Sequence, residues 1–396
     1  MPEVGGARKP SVLIADPFFG DLGGAKIVTL WMIEALKADF EVTVFCWRPF
    51  DLQELNGFVG TRLDAHDFRF LRPPLWVRWL GEFLTWLDKD PYSILRWTLM
   101  MRLLKRIACR FDVLVSCNDE TDFGRAGIQY IHYPYLHRHA RLVRLGRDWQ
   151  AAVRSSQRWR PWRLLCDFQF ANLGRNKTLT NSGWTAELLK QSYALEAEVL
   201  YPPVEGAFGT LPWEERDEMV VCVGRLASDK RLGTIVNIVR LLRQKHPRLG
   251  LRLVGTYPTD PDGPREFQNL RGLAAENDWI EIHLDVSREQ LAELIGRSKI
   301  GMHAKVDEHF GIGVAEMVRG GCAVLAHNSG GPREILGFDA RLLYLTEAEA
   351  AEKVSAILSD SQHRSEVFAN LREQARLFSA RRFVERFREV VAEFQA

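Results

Sequence analysis

A chain of 396 residues, 46% of them hydrophobic, exceeds what one core usually holds, so two domains with ample soluble cores are expected. It has no run of about 20 uncharged apolar residues, which excludes a helical membrane span, and its start, "MPEVGGARKP", lacks the apolar stretch of a signal peptide, so a cytoplasmic location is expected. Its formal charge is only +2, and its six cysteines (Cys46, Cys109, Cys117, Cys166, Cys222 and Cys322) show no C-x-x-C spacing, so they read as reduced core residues without a metal or disulfide framework.

In chain order, "SVLIADPFFGDLGGAKIVTLWMIEALK" predicts a strand, a glycine loop and an amphipathic helix, the opening unit of a nucleotide-binding type of fold. It lacks G-x-G-x-x-G, so Gly23 and Gly24 form either a tight strand-to-helix turn or a ligand-facing loop. Strands are predicted at 11–15, 41–45, 112–116, 128–131 and 177–180, then at 219–223, 250–254, 280–284, 299–303 and 322–325. Amphipathic helices lie between most of them, as parallel sheets covered on both faces demand. "LYPPVEGAFGTLPWEE" at 200–215 is a linker rich in proline and glycine. The fold class is therefore α/β: two doubly wound, Rossmann-like domains, 1–204 and 205–379, facing a cleft, with ligands beyond the carboxyl ends of the strands. The terminal run "ARRFVERFREVVAEFQ" has helical spacing.

Between Arg69 and Lys177 there are 20 Lys or Arg against 9 Asp or Glu, and seven of the 12 tryptophans fall there, at Trp76, Trp79, Trp86, Trp97, Trp149, Trp159 and Trp162. "LWVRWLGEFLTWL" and "ILRWTLMMRLLKRIACRF" mix aromatic, aliphatic and arginine residues, as helices lying in an anionic membrane surface do. The alternative is that they bury their apolar sides on the first sheet and solvate the arginines. No nucleic-acid module accompanies the basic charge, so no nucleic-acid partner is expected. "DETD" at 119–122, the one carboxylate cluster of metal-site appearance, reads as a solvated loop.

Three later segments carry chemistry. "VCVGRLASDKR" at 221–231 ends a strand at Gly224 and then presents Arg225, Lys230 and Arg231, suited to a diphosphate. In "EHFGIGVAE", Glu308 and Glu316 stand eight positions apart around a glycine turn where a helix begins beside a strand's end. The unpaired amides and positive dipole of that helix favour a phosphate, and Gly311 and Gly313 let a ligand approach the backbone. Glu308 would then lie near a sugar and Glu316 near a ribose; the alternative is an exposed acidic pair flanking a helix. "HNSGGPREI" at 327–335 is a second glycine turn, with Pro332 in a first helical turn.

In this order and at these separations the segments resemble the retaining glycosyltransferases of family 4, of GT-B fold, whose E-x7-E motif Glu308 and Glu316 match. "YIHYP", "LYPPV", "EHFGIGVAEM" and "LAHNSGGPREI" are similar to the alpha-1,2-mannosyltransferases of lipid-linked oligosaccharide assembly, which use GDP-mannose. The resemblance implies that Arg225 and Lys230 hold the donor diphosphate, that Glu308 contacts the transferred sugar and that Glu316 binds the ribose. It further implies that His132 lies against the sugar, that Gly23 and Gly24 lie near the phosphates, and that Phe310, Gly311, Ile312 and Gly313 line the donor. By itself, a histidine at a strand's end is as well explained by structural hydrogen bonding. The resemblance also implies that residues 380–396 pack back on the first domain.

The implied activity is metal-independent, retaining transfer of a hexose, mannose from GDP-mannose, to a lipid-linked oligosaccharide or other surface glycan, without a cofactor. Attack would come from the face the nucleotide leaves, with the leaving phosphate helping to take the acceptor proton. The enzyme would act in the cytoplasm, peripheral on the cytoplasmic face of a membrane. The alternative is a catalytically inactive sugar-nucleotide-binding or regulatory partner; a sugar phosphorylase or nucleotide-sugar epimerase fits the strings less well. "RLASDKR" departs from the subgroup's acidic-lysine wording, and no residue reads the base, the acceptor or the linkage.

Overall fold

Val12, Leu13, Ile14 and Ala15 are wholly buried, as a strand covered on both faces requires, and around it the first of two parallel sheets forms. The structure is a computed structural model, described for residues 8–16, 24–47, 50–88, 94–117, 119–134, 166–206, 208–209, 211–258 and 262–396. The chain divides into two compact units, Met1–Tyr201 with Phe383–Ala396, and Pro202–Arg382.

The first unit contains strands β1 (Ser11–Ala15), β2 (Glu41–Phe45), β3 (Phe68–Leu71), β4 (Val113–Ser116), β5 (Ile128–Ile131), β6 (Lys177–Thr180) and β7 (Glu198–Val199). Their order is β3-β2-β1-β4-β5-β6-β7, and every ladder is parallel. Helices α1 (Gly24–Leu36), α2 (Leu52–Val59), α3 (Leu75–Asp88), α4 (Ile94–Ile107), α5 (Phe170–Leu173) and α6 (Gly183–Tyr193) accompany them. β3 and β7 are not among the predicted strands. β3 alternates two arginine-flanked phenylalanines over four residues and β7 pairs only two, too short for a periodic signal.

α3 and α4 behave differently, although their sequences read alike. α4 buries Trp97, Met100, Met101 and Leu104 in the core with Leu13, Phe45, Leu114 and Ile131, so the interface expectation fails for it. α3 buries Val77 but leaves Trp76, Trp79, Phe83 and Trp86 at 68%, 72%, 54% and 72% exposure. Trp149, Trp159 and Trp162 lie outside the described residues. Five cysteines are buried as expected, whereas Cys109 is exposed.

In the second unit, strands β8 (Asp217–Val223), β9 (Gly250–Gly255), β10 (Ile280–Leu284), β11 (Ser298–His303), β12 (Ala323–His327) and β13 (Leu343–Tyr344) run parallel in the order β10-β9-β8-β11-β12-β13. Helices α7 (Leu232–Arg243), α8 (Gly263–Glu276), α9 (Arg288–Arg297), α10 (Ile312–Arg319), α11 (Pro332–Ile335), α12 (Glu347–Ser359) and α13 (Ser361–Ala375) complete it. The winding reverses between β8 and β11, and beyond the carboxyl ends of strands at such a reversal is where ligands bind doubly wound sheets.

The chain passes into the second unit after Tyr201 and returns after Arg382, within helix α14 (Ala380–Gln395). In the first unit, Arg388 Nε of that helix donates to the Ala35 carbonyl at 2.6 Å, and Arg386 Nε donates to Glu198 Oε1 at 2.7 Å.

Candidate functional site

The two strands at the reversal deliver the charged groups. After β8, Gly224 turns the chain, and a short 3-10 turn at Ser228–Lys230 precedes Arg231, whose left-handed φ of 52° starts α7. After β11, the loop 304–311 leads into α10. Lys230 Nζ donates to Glu308 Oε2 at 2.5 Å, so the reversal of the sheet places a cation and a carboxylate together from segments 78 residues apart.

Two residues not singled out in the sequence complete the cluster. Lys305 Nζ lies 3.4 Å from Glu308 Oε1 and 2.9 Å from Asp229 Oδ2, and His303 Nε2 lies 3.5 Å from Glu308 Oε2. Burial opposes ionisation of Glu308, but His303, Lys230 and Lys305 outweigh it and hold the carboxyl well below its ordinary range. Burial lowers the His303 pKa despite the neighbouring carboxylate. Burial would lower Lys305, yet Glu308 and Asp229 together raise it. Glu308 is thus a fixed anion, suited to accepting hydrogen bonds from sugar hydroxyls. His303 closes β11 and Lys305 sits in a polar loop, so only the register of β11 against β8 gives either a role.

A depressed carboxyl pKa contributes stability that is fully present above the unfolded-state value and lost as pH falls through the folded-state value. Glu308→Gln should therefore destabilise the protein by about 1.5–3 kcal/mol at pH 7, with the difference from wild type closing below pH 4.5, the ordinary glutamate value. Paired thermal melts from pH 7 to pH 3 check this; a constant difference across that range would contradict it.

The glycine turn works partly as expected. Gly311 caps α10 at φ 100°, a conformation that penalises any side chain. Gly313 has a different reason from the one read in the sequence: a Cβ there would meet the Val223 carbonyl oxygen at 2.5 Å. It admits the backbone of β8, which sets the start of α10 directly beyond that strand. The first amides of α10 have no intrahelical partner, and its N-terminus carries partial positive charge. The Phe310 side chain is 3% exposed and packs on Phe378 at 5.8 Å between ring centroids, so it serves the core. From the second glycine turn, Gly331 N donates to the Glu308 carbonyl at 2.8 Å and Ser329 Oγ accepts from Asp307 N at 2.8 Å, which fixes the loop carrying Glu308.

The remaining predicted residues fall apart from this cluster. Glu316 is 5% exposed on α10 and pairs with Arg288, another residue the motifs did not reveal. Arg225 is exposed, forms no ion pair among the described residues, and helps Lys305 and Lys230 lower the pKa of exposed Asp229. Ile312 opens α10.

His132, Gly23 and Gly24 belong to the first unit. The His132 amide donates to Asp119 Oδ1 at 2.9 Å, its carbonyl accepts from Asn181 Nδ2 at 2.9 Å, and its ring lies 4.9 Å from that of Tyr130. Gly24 is the first residue of α1, ahead of a buried Lys26–Asp16 pair at 2.7 Å; Gly23 lies outside the described residues.

"DETD" is not a solvated loop. Glu120, Thr121 and Asp122 are 0% exposed. Asp119 accepts the amides of His132 and Tyr133, and burial together with Glu120 pushes its pKa up. Asp122 pairs with Lys105 at 2.7 Å and accepts from Gly124 N, Gln169 N and Asn172 Nδ2 at 2.8–3.0 Å. The protein's own donors bind these carboxylates.

Two reversed, parallel sheets with a polar cluster at the carboxyl ends define a GT-B protein. The fold matches the crystal structure of Anabaena Alr3699/HepE in complex with UDP and glucose at TM-score 0.65, with 15% identity over 97% of this chain and 99% of that one. It also matches WaaG, a glycosyltransferase involved in lipopolysaccharide biosynthesis, at TM-score 0.61, with 14% identity over 95% and 98%.

Residues 206–377 match the model of the glycosyl transferases group 1 family. Similar relatives are named GDP-Man:Man(3)GlcNAc(2)-PP-Dol alpha-1,2-mannosyltransferase. That of Homo sapiens is 29% identical over 230 residues, 52% of this chain and 46% of the relative. That of Dictyostelium discoideum is 27% identical over 230 residues, 53% and 45%, and that of Eremothecium gossypii is 24% identical over 315 residues, 71% and 52%. The chain spans about half the length of these relatives. The fold expected from the motif wording is borne out, and the matched model and relatives are those the wording pointed to.

Proposed function

We propose that the protein is a retaining mannosyltransferase that takes mannose from GDP-mannose and extends a lipid-linked oligosaccharide or related surface glycan. The observation that carries this reading is the Lys230–Glu308 pair at the sheet reversal, inside the segment that matches the group 1 glycosyltransferases; the names of the relatives support the donor and acceptor.

Cleavage of the bond between the anomeric carbon and phosphate builds positive charge on the sugar and negative charge on the diphosphate. Preorganised donors where the negative charge grows are usually the largest catalytic term. Lys230, Arg225 and the N-terminus of α10 supply them, which makes the proposed reaction metal-independent. Glu308, held by His303, Lys305 and Lys230, orients the mannose hydroxyls, and Glu316 receives the ribose. An inactive binding partner would have no chemical need of the whole set. Nucleotide release from GDP-mannose and UDP-sugars in EDTA, with and without a dolichol-linked acceptor, tests the reading. Acceptor-dependent release of GDP supports it; no release from any donor contradicts it.

A lipid-linked acceptor calls for access to a bilayer, and among the described residues no helix is long and apolar enough to cross one. We assign surface docking to α3, where Trp76, Trp79, Phe83 and Trp86 stand exposed beside exposed Arg69 and Arg72. Such aromatic and basic faces settle at the headgroup level of anionic membranes. The protein should float with anionic liposomes at low salt, and Trp76→Ser with Trp79→Ser should leave it in the soluble fraction with an unchanged melt. Wild type that stays wholly soluble would contradict docking.

A further inference from the structure

Arg288 lies 20 residues before the glycine turn motif, in a stretch that reads as an ordinary helix start. It is the first residue of α9, and a reciprocal cap fixes its position: Ser287 Oγ accepts from Gln290 N at 3.2 Å, and Gln290 Oε1 accepts from Ser287 N at 2.9 Å. Its guanidinium spans two anchors. Nη1 donates to Glu316 Oε1, and Nη2 donates to the main-chain carbonyl of Glu205 at 2.6 Å. One guanidinium side lies 5.9 Å from the Phe208 ring centroid, and the Arg288 and Glu316 side chains are 14% and 7% exposed.

The second anchor is itself held. Glu205 Oε1 accepts from Ala380 N at 2.9 Å, and Glu205 Oε2 lies 3.6 Å from Arg319 Nη2. A planar guanidinium fixed at two points presents its donors in one orientation. It takes one oxygen of Glu316, while Glu316 Oε2 accepts no hydrogen bond among the described residues.

We propose that Arg288 is the positioning residue for nucleotide recognition: it sets the Glu316 carboxylate so that the second oxygen accepts the ribose hydroxyls of a nucleoside diphosphate. The inference rests on the ribose reading of Glu316 and adds the group that makes that carboxylate selective. A purely structural ion pair would alter stability without altering discrimination at the ribose.

The test is calorimetric titration of the intact protein with GDP and with 2′,3′-dideoxy-GDP, and with the UDP pair in parallel. Wild type should prefer the ribonucleotide by about 10- to 100-fold, and Glu316→Gln should lose that preference. Arg288→Met should reduce it to within about threefold, with Arg288→Lys intermediate because it keeps a charge near Glu316 and loses the bridge to Glu205. Should Arg288→Met fail to fold, Arg288→Lys decides. An Arg288 variant that keeps the full preference, while Glu316→Gln loses it, overturns the role of Arg288 and leaves the ribose reading standing. A Glu316→Gln protein that keeps the preference overturns the ribose reading, and with it this inference.

Discussion

Lys230→Ala should lower kcat for the proposed mannosyl transfer by about 100- to 1,000-fold, the usual cost of removing one preorganised donor from a developing anion. The expectation follows from position: Lys230 leaves the end of β8 at the sheet reversal and is 16% exposed in its side chain, so its charge acts where water screens little. Its contact with Glu308 Oε2 adds a second, smaller effect. Without Lys230, Glu308 keeps Lys305 and His303 but is no longer held from the β8 side, so KM for the donor should rise a few-fold. Lys230→Arg should not restore full activity, because a guanidinium cannot occupy the compact ammonium position between carboxylate and phosphate. Steady-state nucleotide release, with melts to show an intact fold, checks this. An unchanged kcat would remove Lys230 from the chemistry.

Asp122→Ala should be the most damaging change outside the site. It removes a wholly buried carboxylate that joins Lys105 of α4 to the amides of Gly124 and Gln169 and to Asn172 of α5. Breaking one partner of a buried pair leaves the other charge uncompensated, at a cost of roughly 3–5 kcal/mol. For a unit of about this size the melting temperature should drop by roughly 6–20 °C. Asp122→Asn, which keeps the shape and one acceptor, should cost less. Calorimetry on both variants distinguishes a hub from a loop: a drop of under about 2 °C for the alanine variant would restore the solvated reading of "DETD".

The sheets were legible because their strands are continuous buried apolar runs, such as Val12–Ala15 and Val220–Val223, bounded by glycine or polar turns. The paired glutamates were legible because a helix start beside a strand's end is a local pattern. What escaped was set by register between distant segments. His303, Lys305 and Arg288 acquire their roles only when β11 lies against β8 and α9 lies beside α10. Gly313 read as a ligand-facing glycine, since sequence cannot say that the backbone arriving at 2.5 Å belongs to Val223. α3 and α4 share a composition, and only packing separates the buried Trp97 from the exposed Trp79. "DETD" read as solvated because four polar residues usually are; burial with a full set of donors is a tertiary property.

The most direct test of the central claim is a crystal structure of the protein with bound GDP. The diphosphate should lie within hydrogen-bond reach of Lys230 Nζ and of the first amides of α10, with the ribose against Glu316. A nucleotide bound elsewhere, with Lys230 and Glu308 still paired only to each other and to Lys305, would contradict it.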